Sequence, residues 1–151
     1  MQARSQTNVV NGLKLHHLEW GLPDAPPIVL LHGLRSYGAT WEPIAEKLAN
    51  RWRLIALDQR GRGDSDWDAN ADYFTEAYVS DLEQWADQLG LQRFVLVGHS
   101  MGGTNAFVYT HRHPERVSAL VIEDIGPGAS AGGEGAERIR RELQNTPKRF
   151  D

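Results

Sequence analysis

Residues 94–103 read FVLVGHSMGG, and Ser100 is the residue of this chain best placed to act as a nucleophile. An apolar run, Phe94 to Val97, gives way to small residues and then to a stretch of helical character. A strand that turns straight into a helix passes through a strained residue, and Gly98 and Gly102 leave the backbone room to do so. Gly103 lets the first helical turn lie close to the strands. The serine hydroxyl would then project at the carboxyl end of the strand, beside free helix amides and the positive end of the helix dipole, which favour developing negative charge. G-x-S-x-G in a strand–turn–helix setting is the pattern of a nucleophile elbow, whereas a mere glycine-rich connector would need neither flank. His99 adjoins the serine, but neighbours at such a turn point different ways, so a packing role is expected for it rather than that of a base.

Hydrophobic periodicity supplies the elements that must position this turn. Leu13 to Trp20 reads as a strand, and GLPDAPP after it is turn chemistry. Ile28 to Leu31 is wholly apolar, as in a strand buried on both faces, and ends at His32-Gly33. Thr40 is expected to cap a helix carrying Trp41, Ile44, Ala45 and Leu48. Arg53 to Leu57 is a second buried strand. Thr75 is expected to cap the next helix, whose stripe is Tyr78, Leu82, Trp85, Ala86 and Leu89 and which Gly90 closes. The helix after Ser100 ends near Pro114, and a last strand, Val117 to Ile122, runs into Glu123-Asp124. From Ile28 onward the order is β-α-β-α-β-α-β, with crossovers long enough for parallel pairing. The expected fold is therefore α/β, a doubly wound, mostly parallel sheet.

Residues 1–125 are expected to form the amino-terminal part of that core, and 126–151 a flexible connection followed by the start of a helical cap segment. GPGASAGGEG (126–135) is the connection, and Thr146-Pro147 has the chemistry of a helix start. The last apolar strand would be left as an open sheet edge, so the chain is expected to be truncated where the cap segment begins.

IVLLHGL (28–34), ALDQRGRGDSD (56–66) and LVGHSMGG (96–103), in that order and spacing, resemble the α/β-hydrolase family over about residues 13–125. The resemblance implies serine esterase or lactonase chemistry through an acyl-enzyme on Ser100. It implies an oxyanion hole made by the backbone N–H groups of Leu34, in the turn after His32-Gly33, and Met101. It also implies the chain order nucleophile, acid, histidine. His16, His17 and His32 precede Ser100 and break that order. His111 and His113 follow one helix, roughly 15 Å or more from its start at about 1.5 Å per residue. The catalytic histidine is therefore expected outside these residues, in a carboxy-terminal segment acting as partner. Asp124 is the candidate triad acid, with a loop-ordering role and competition from Glu123 as alternatives.

Asp58 to Ser65 is expected to be structural, with Gly61 and Gly63 for the turn and Asp58 and Asp64 for local hydrogen bonds. The carboxylates of DSDWD (64–68) lack the spacing and histidines of a metal site, so a solvated loop, no metal and no cofactor are expected. The expected substrate is a small-molecule ester or lactone. Carbon–carbon bond hydrolases and cofactor-free haloperoxidases resemble this chain and also keep the serine. Haloalkane dehalogenases and epoxide hydrolases use aspartate at the elbow. A non-catalytic scaffold is the competing class of function.

With 151 residues, 40% hydrophobic and 24% charged, the chain has the composition of a globular domain with a real core. A net charge of −4 offers no footprint for nucleic acid. The absence of cysteine rules out disulfides and thiolate metal sites. The amino terminus lacks a signal-peptide core and no run reaches the length of a membrane span, so a cytoplasmic protein without membrane contact is expected.

Overall fold

The computed structural model describes residues 2–125 and Arg141. Its elements are β1 (Arg4–Val10), β2 (Leu13–Trp20), β3 (Pro27–Leu31), α1 (Glu42–Leu48), β4 (Arg53–Leu57), α2 (Thr75–Gln88), β5 (Phe94–His99), α3 (Met101–Arg112) and β6 (Val117–Glu123). The six strands form one sheet in the order β1-β2-β4-β3-β5-β6. β4, β3, β5 and β6 run parallel to their neighbours in that series, while β2 is antiparallel to both β1 and β4. The segment expected as flexible connection and cap start lies outside the described residues, apart from Arg141.

Among the described residues, every strand and helix expected from Leu13 to Ile122 is present, and the mostly parallel sheet is confirmed. β1 was not anticipated. It pairs with β2 through a two-residue turn in which Asn11 and Gly12 both take left-handed backbone, with φ of 50° and 81°. Such turns match strand twist and favour Asn-Gly, so the NG of VVNGLKL carried the signal for this hairpin.

Helices cover both faces of the sheet. On one face Leu15, Val29, Leu31, Ile55, Leu57 and Leu96 pack with Val79, Leu82, Trp85 and Ala86 of α2 and Ala106 and Tyr109 of α3. On the other, Trp20, Ile28, Leu30, Leu54 and Ala56 meet Trp41, Ala45 and Ala49 around α1. Each such fully buried large side chain contributes about 1.5–3 kcal/mol of transfer free energy. β6 pairs only with β5 among the described residues, and Val121 on it is half exposed.

Two helix starts differ from expectation. Thr40 lies inside a 3₁₀ turn, Gly38–Trp41, and its hydroxyl donates back to the Tyr37 carbonyl at 2.8 Å. α1 begins only at Glu42, with a proline in its first turn and no side-chain cap. Thr75 is the first residue of α2, because the Phe74 carbonyl already accepts from the N–H groups of Ala77 and Tyr78. Gly90 does close α2, with φ of +66°.

A buried guanidinium ties the loop after β4 to its surroundings. Arg60 donates through Nε and Nη2 to both Asp81 oxygens at 2.6 and 2.7 Å, and through Nη1 to Asp68 and the Asp72 carbonyl. Asp81 also accepts from Asn11 at the hairpin tip, at 2.8 Å. No helix among the described residues is long and apolar enough to cross a membrane.

Candidate active site

Ser100 sits between β5 and α3 with φ 50° and ψ −116°, a conformation that a side-chain-bearing residue adopts only under strain. Such strain costs about 1–3 kcal/mol and persists only where the surroundings over-determine the backbone. Here they do. The Ser100 N–H donates to the Glu123 carbonyl at 2.9 Å, and the Ser100 carbonyl accepts from Thr104 at 3.1 Å.

The glycines around it are required by close approach. A Cβ on Gly98 would stand 2.3 Å from the Gly102 carbonyl oxygen, and one on Gly102 would stand 2.4 Å from that of Leu31. The β5–α3 junction therefore presses directly on the end of β3. A Cβ on Gly33 would lie 2.5 Å from His99 Nδ1 and 3.3 Å from Ser100 Cβ, so the turn after β3 lies against the serine. Leu34 follows in that turn, which the Ser36 N–H closes on the Gly33 carbonyl at 3.2 Å. Met101 is the first residue of α3, where amides have no acceptor within the helix.

His32 braces this turn. It is buried, its Nδ1–H donates to the Gly33 carbonyl at 2.9 Å, and its Nε2 accepts from the Gln59 N–H at 3.0 Å. Burial lowers its pKa, consistent with a neutral ring whose two nitrogens are both engaged. The Gln59 side chain donates to the His32 carbonyl at 2.8 Å and accepts from Asn105 of α3 at 2.7 Å. Sequence reasoning missed Gln59 and Asn105. The available signal was an asparagine on the apolar face of a helix, which needs a buried partner.

His99 corrects an expectation. Its side chain is not packed away but 39% exposed, with Nε2 3.8 Å from the Asp124 carboxylate. It lines a cavity of about 310 Å³ together with Gly33, Ser36, Trp41, Ile44 and Glu123. Asp124 itself is exposed and takes a left-handed φ of 61°. Thus Ser100, Gly33, His99 and Asp124 come together, with Leu34 and Met101 in the adjoining turns. No histidine among the described residues is hydrogen-bonded to the Ser100 hydroxyl. His113 ends α3 at the far side, facing Glu83 and Glu115.

Asp58 is buried and structural, as expected. Its carboxylate accepts from the Gly38 and Asp64 backbone N–H groups and from His16 Nδ1 at 2.7 Å. Gly63, at φ +53°, lets the loop wrap that carboxylate. Asp64 contributes its amide to this network while its carboxylate stays exposed, and Asp66 accepts from the Lys14 N–H at 2.8 Å. His16, Asp58 and Asp64 do bring ligand-type atoms within 4.8 Å of one another, a histidine that the loop reading had not foreseen. Both nitrogens of the His16 ring are already engaged, by Asp58 and by the Ser5 hydroxyl.

Residues 26–150 match the profile of the alpha/beta hydrolase fold family. The chain belongs to that family. It is 38% identical over 135 residues to a putative 2-succinyl-6-hydroxy-2,4-cyclohexadiene-1-carboxylate synthase of Bacillus subtilis, covering 89% of this chain and 49% of that protein. It is 39% identical over 110 residues to an sn-1-specific diacylglycerol lipase of Mus musculus, covering 72% of this chain and 35% of that one. Among solved structures, an epoxide hydrolase mutant of Vigna radiata superposes with a TM-score of 0.77 at 31% identity, over 82% of this chain and 39% of its own. The chain therefore spans half or less of the length of these relatives.

Proposed function

We propose that the chain is the nucleophile-bearing part of a serine hydrolase that cleaves a small-molecule ester or lactone. The observation that carries this reading is the Ser100 backbone: a strained, left-handed residue between β5 and α3, held against the glycine turn after β3. In this reading the Ser100 oxygen bonds to the substrate carbonyl carbon, and the oxyanion is met by the amides of Leu34 and Met101. Collapse expels the alcohol and leaves an acyl-serine, which water then cleaves. His32, Gly33, Gly98 and Gly102 hold the geometry, and the cavity beside His99 receives substrate.

The base is a histidine from the part of the longer relatives that this chain does not span, and Asp124 is the acid that orients it. The match to an sn-1-specific diacylglycerol lipase supports ester chemistry. The likeness to an epoxide hydrolase supports the fold and a hydrolytic centre at this turn, while serine in place of aspartate there points away from epoxide opening.

A fluorophosphonate probe followed by peptide mapping tests the proposal. Applied to the intact enzyme, it should modify Ser100 at one equivalent and abolish ester turnover. Full occupancy at Ser100 with turnover unchanged, or turnover lost with Ser100 unmodified, would show that the serine is not the nucleophile.

A further inference from the structure

A second hydroxyl, imidazole and carboxylate stand in line on the other half of the sheet. Ser5 Oγ is 2.8 Å from His16 Nε2, and His16 Nδ1 is 2.7 Å from Asp58 Oδ2. The three residues come from β1, β2 and the end of β4, neighbours in the sheet. Register places them on one face: Ser5 opposes Leu18 and Thr7 opposes His16, so Ser5 and His16 lie two residues apart along the same side. β1 and β5 are four strand spacings apart, so Ser5 stands roughly 19 Å from the Ser100 strand at about 4.8 Å per spacing.

The hydrogen-bond directions follow from chemistry. A carboxylate can only accept, so His16 Nδ1 carries a proton, and Nε2 is the ring nitrogen that faces the Ser5 hydroxyl. Asp58 is held by two backbone amides, and the His16 backbone is held by Ser65 Oγ at 2.8 Å and by the Asp58 N–H at 2.9 Å. His16 and Asp58 are buried, while Ser5 is exposed on the edge strand. A cavity of about 440 Å³ opens over the group, lined by Ser5, His16, Leu18, Tyr37, Ala39 and Asp64.

We propose that Ser5, His16 and Asp58 form a second acyl-accepting site, specific for small activated esters whose acyl group is neutral or cationic. His16 Nε2 takes the Ser5 proton as Oγ bonds to the carbonyl carbon. The imidazolium gives that proton to the departing alcohol oxygen as its bond to carbon breaks. Water, deprotonated by the same nitrogen, then releases the acid and restores Ser5. Tyr37 lines the cavity and its hydroxyl is the donor assigned to the oxyanion in this proposal, while the exposed Asp64 carboxylate disfavours anionic acyl groups.

The site is independent of Ser100, and the test removes that serine. The Ser100→Ala chain is treated with p-nitrophenyl acetate and with a fluorophosphonate, and modified residues are mapped by mass spectrometry. Ser5 should react at least ~10²-fold faster than the exposed Thr7 on the same strand, the span expected for a positioned base. Ser5→Ala should remove the label, and His16→Gln should reduce it to the Thr7 rate. Equal rates at Ser5 and Thr7 would overturn the proposal, as would a His16→Gln variant that melts like its parent and labels at full speed. Should His16→Gln fail to fold, the pH profile of the parent decides. A relay gives a rate that rises with deprotonation of one group and then levels, whereas a bare hydroxyl gives a rate that climbs in proportion to hydroxide.

Discussion

Ser100 and Ser5 hold opposite halves of what a nucleophilic serine requires. Ser100 has the strained backbone, the glycine clearances and a helix amino terminus, yet no described histidine bonds its hydroxyl. Ser5 lies on the extended backbone of an edge strand with an imidazole and a buried carboxylate in line, but with no elbow and no helix behind it. The first half comes from local chain geometry and the second from strand register. The two can be tested separately.

The widest separation should appear in turnover by the intact enzyme. Ser100→Ala is expected to lower kcat on an activated ester by about 10⁶-fold, as loss of a nucleophilic serine does in a well-studied protease. Ser5→Ala should leave that turnover within a factor of two, since Ser5 lies about four strands away. Steady-state kinetics of both variants, with the acylated residue mapped, check this, and parental turnover surviving in Ser100→Ala would reverse the assignment. Next in size is Asp124→Asn, expected to lower kcat by about 10⁴-fold with little change in melting temperature. A near-normal kcat would place the acid elsewhere and leave Asp124 as the residue that turns the chain after β6.

A third test uses two adjacent imidazoles. His16 faces the Ser5 hydroxyl, whereas His17 points to the opposite face, where its Nδ1 accepts from Trp85 Nε1 at 3.3 Å. Burial, the largest influence, lowers the His17 pKa to about 4. The unfolded chain, with a histidine pKa near 6.5, binds more protons between those values. His17's contribution is thus fully favourable above pH ~6.5 and is lost as pH falls towards ~4, with a slope of at most about 1.4 kcal/mol per pH unit. Urea unfolding at pH 7 and pH 5 should show the drop, and His17→Phe should reduce it. An unchanged drop in that variant would assign the proton uptake to another group.

The smallest effect is in the backbones themselves. Ser100→Gly should raise stability by about 1 kcal/mol, because glycine takes left-handed φ without strain. Ser5→Gly, on an extended strand, should lower it by about 0.5–1 kcal/mol. Opposite signs in thermal melts would confirm that one serine is strained and the other relaxed.

The same contrast explains what could be read from the chain. The elbow was legible because its cause is local: Gly98 and Gly102 must lie where they do for Ser100 to turn. The central strands were legible from their unbroken apolar runs, and α2 from its stripe. The Ser5–His16–Asp58 line was not, because it depends on β1, whose alternation is mostly polar and exposed, and on a register set by the Asn11–Gly12 turn. The Gln59–His32–Asn105 brace was hidden for the same reason: its members lie 27 and 46 residues apart in the bonds that join them. Thr40 and Thr75 misled because a capping residue type is a preference, and the neighbouring carbonyls of Tyr37 and Phe74 governed where each turn closed.

The position of β3 between β4 and β5 bears on how the chain is made on the ribosome. β1, β2, β3 and β4 can assemble as soon as Leu57 has emerged, but the other edge of β3 must wait for Phe94–His99. At about 5–20 residues per second of synthesis, the interval between emergence of β4 and β5 is roughly 2 to 8 s. Throughout it, PIVLL offers unpaired backbone and apolar side chains to any other nascent strand. The turn carrying Gly33 and Leu34 hangs from that same edge and gains its partner, the Ser100 elbow, only when β5 docks. A holdase that shields extended apolar segments would therefore act on this stretch first, and a slow codon run placed between β4 and β5 would lower the soluble yield more than one placed after β6.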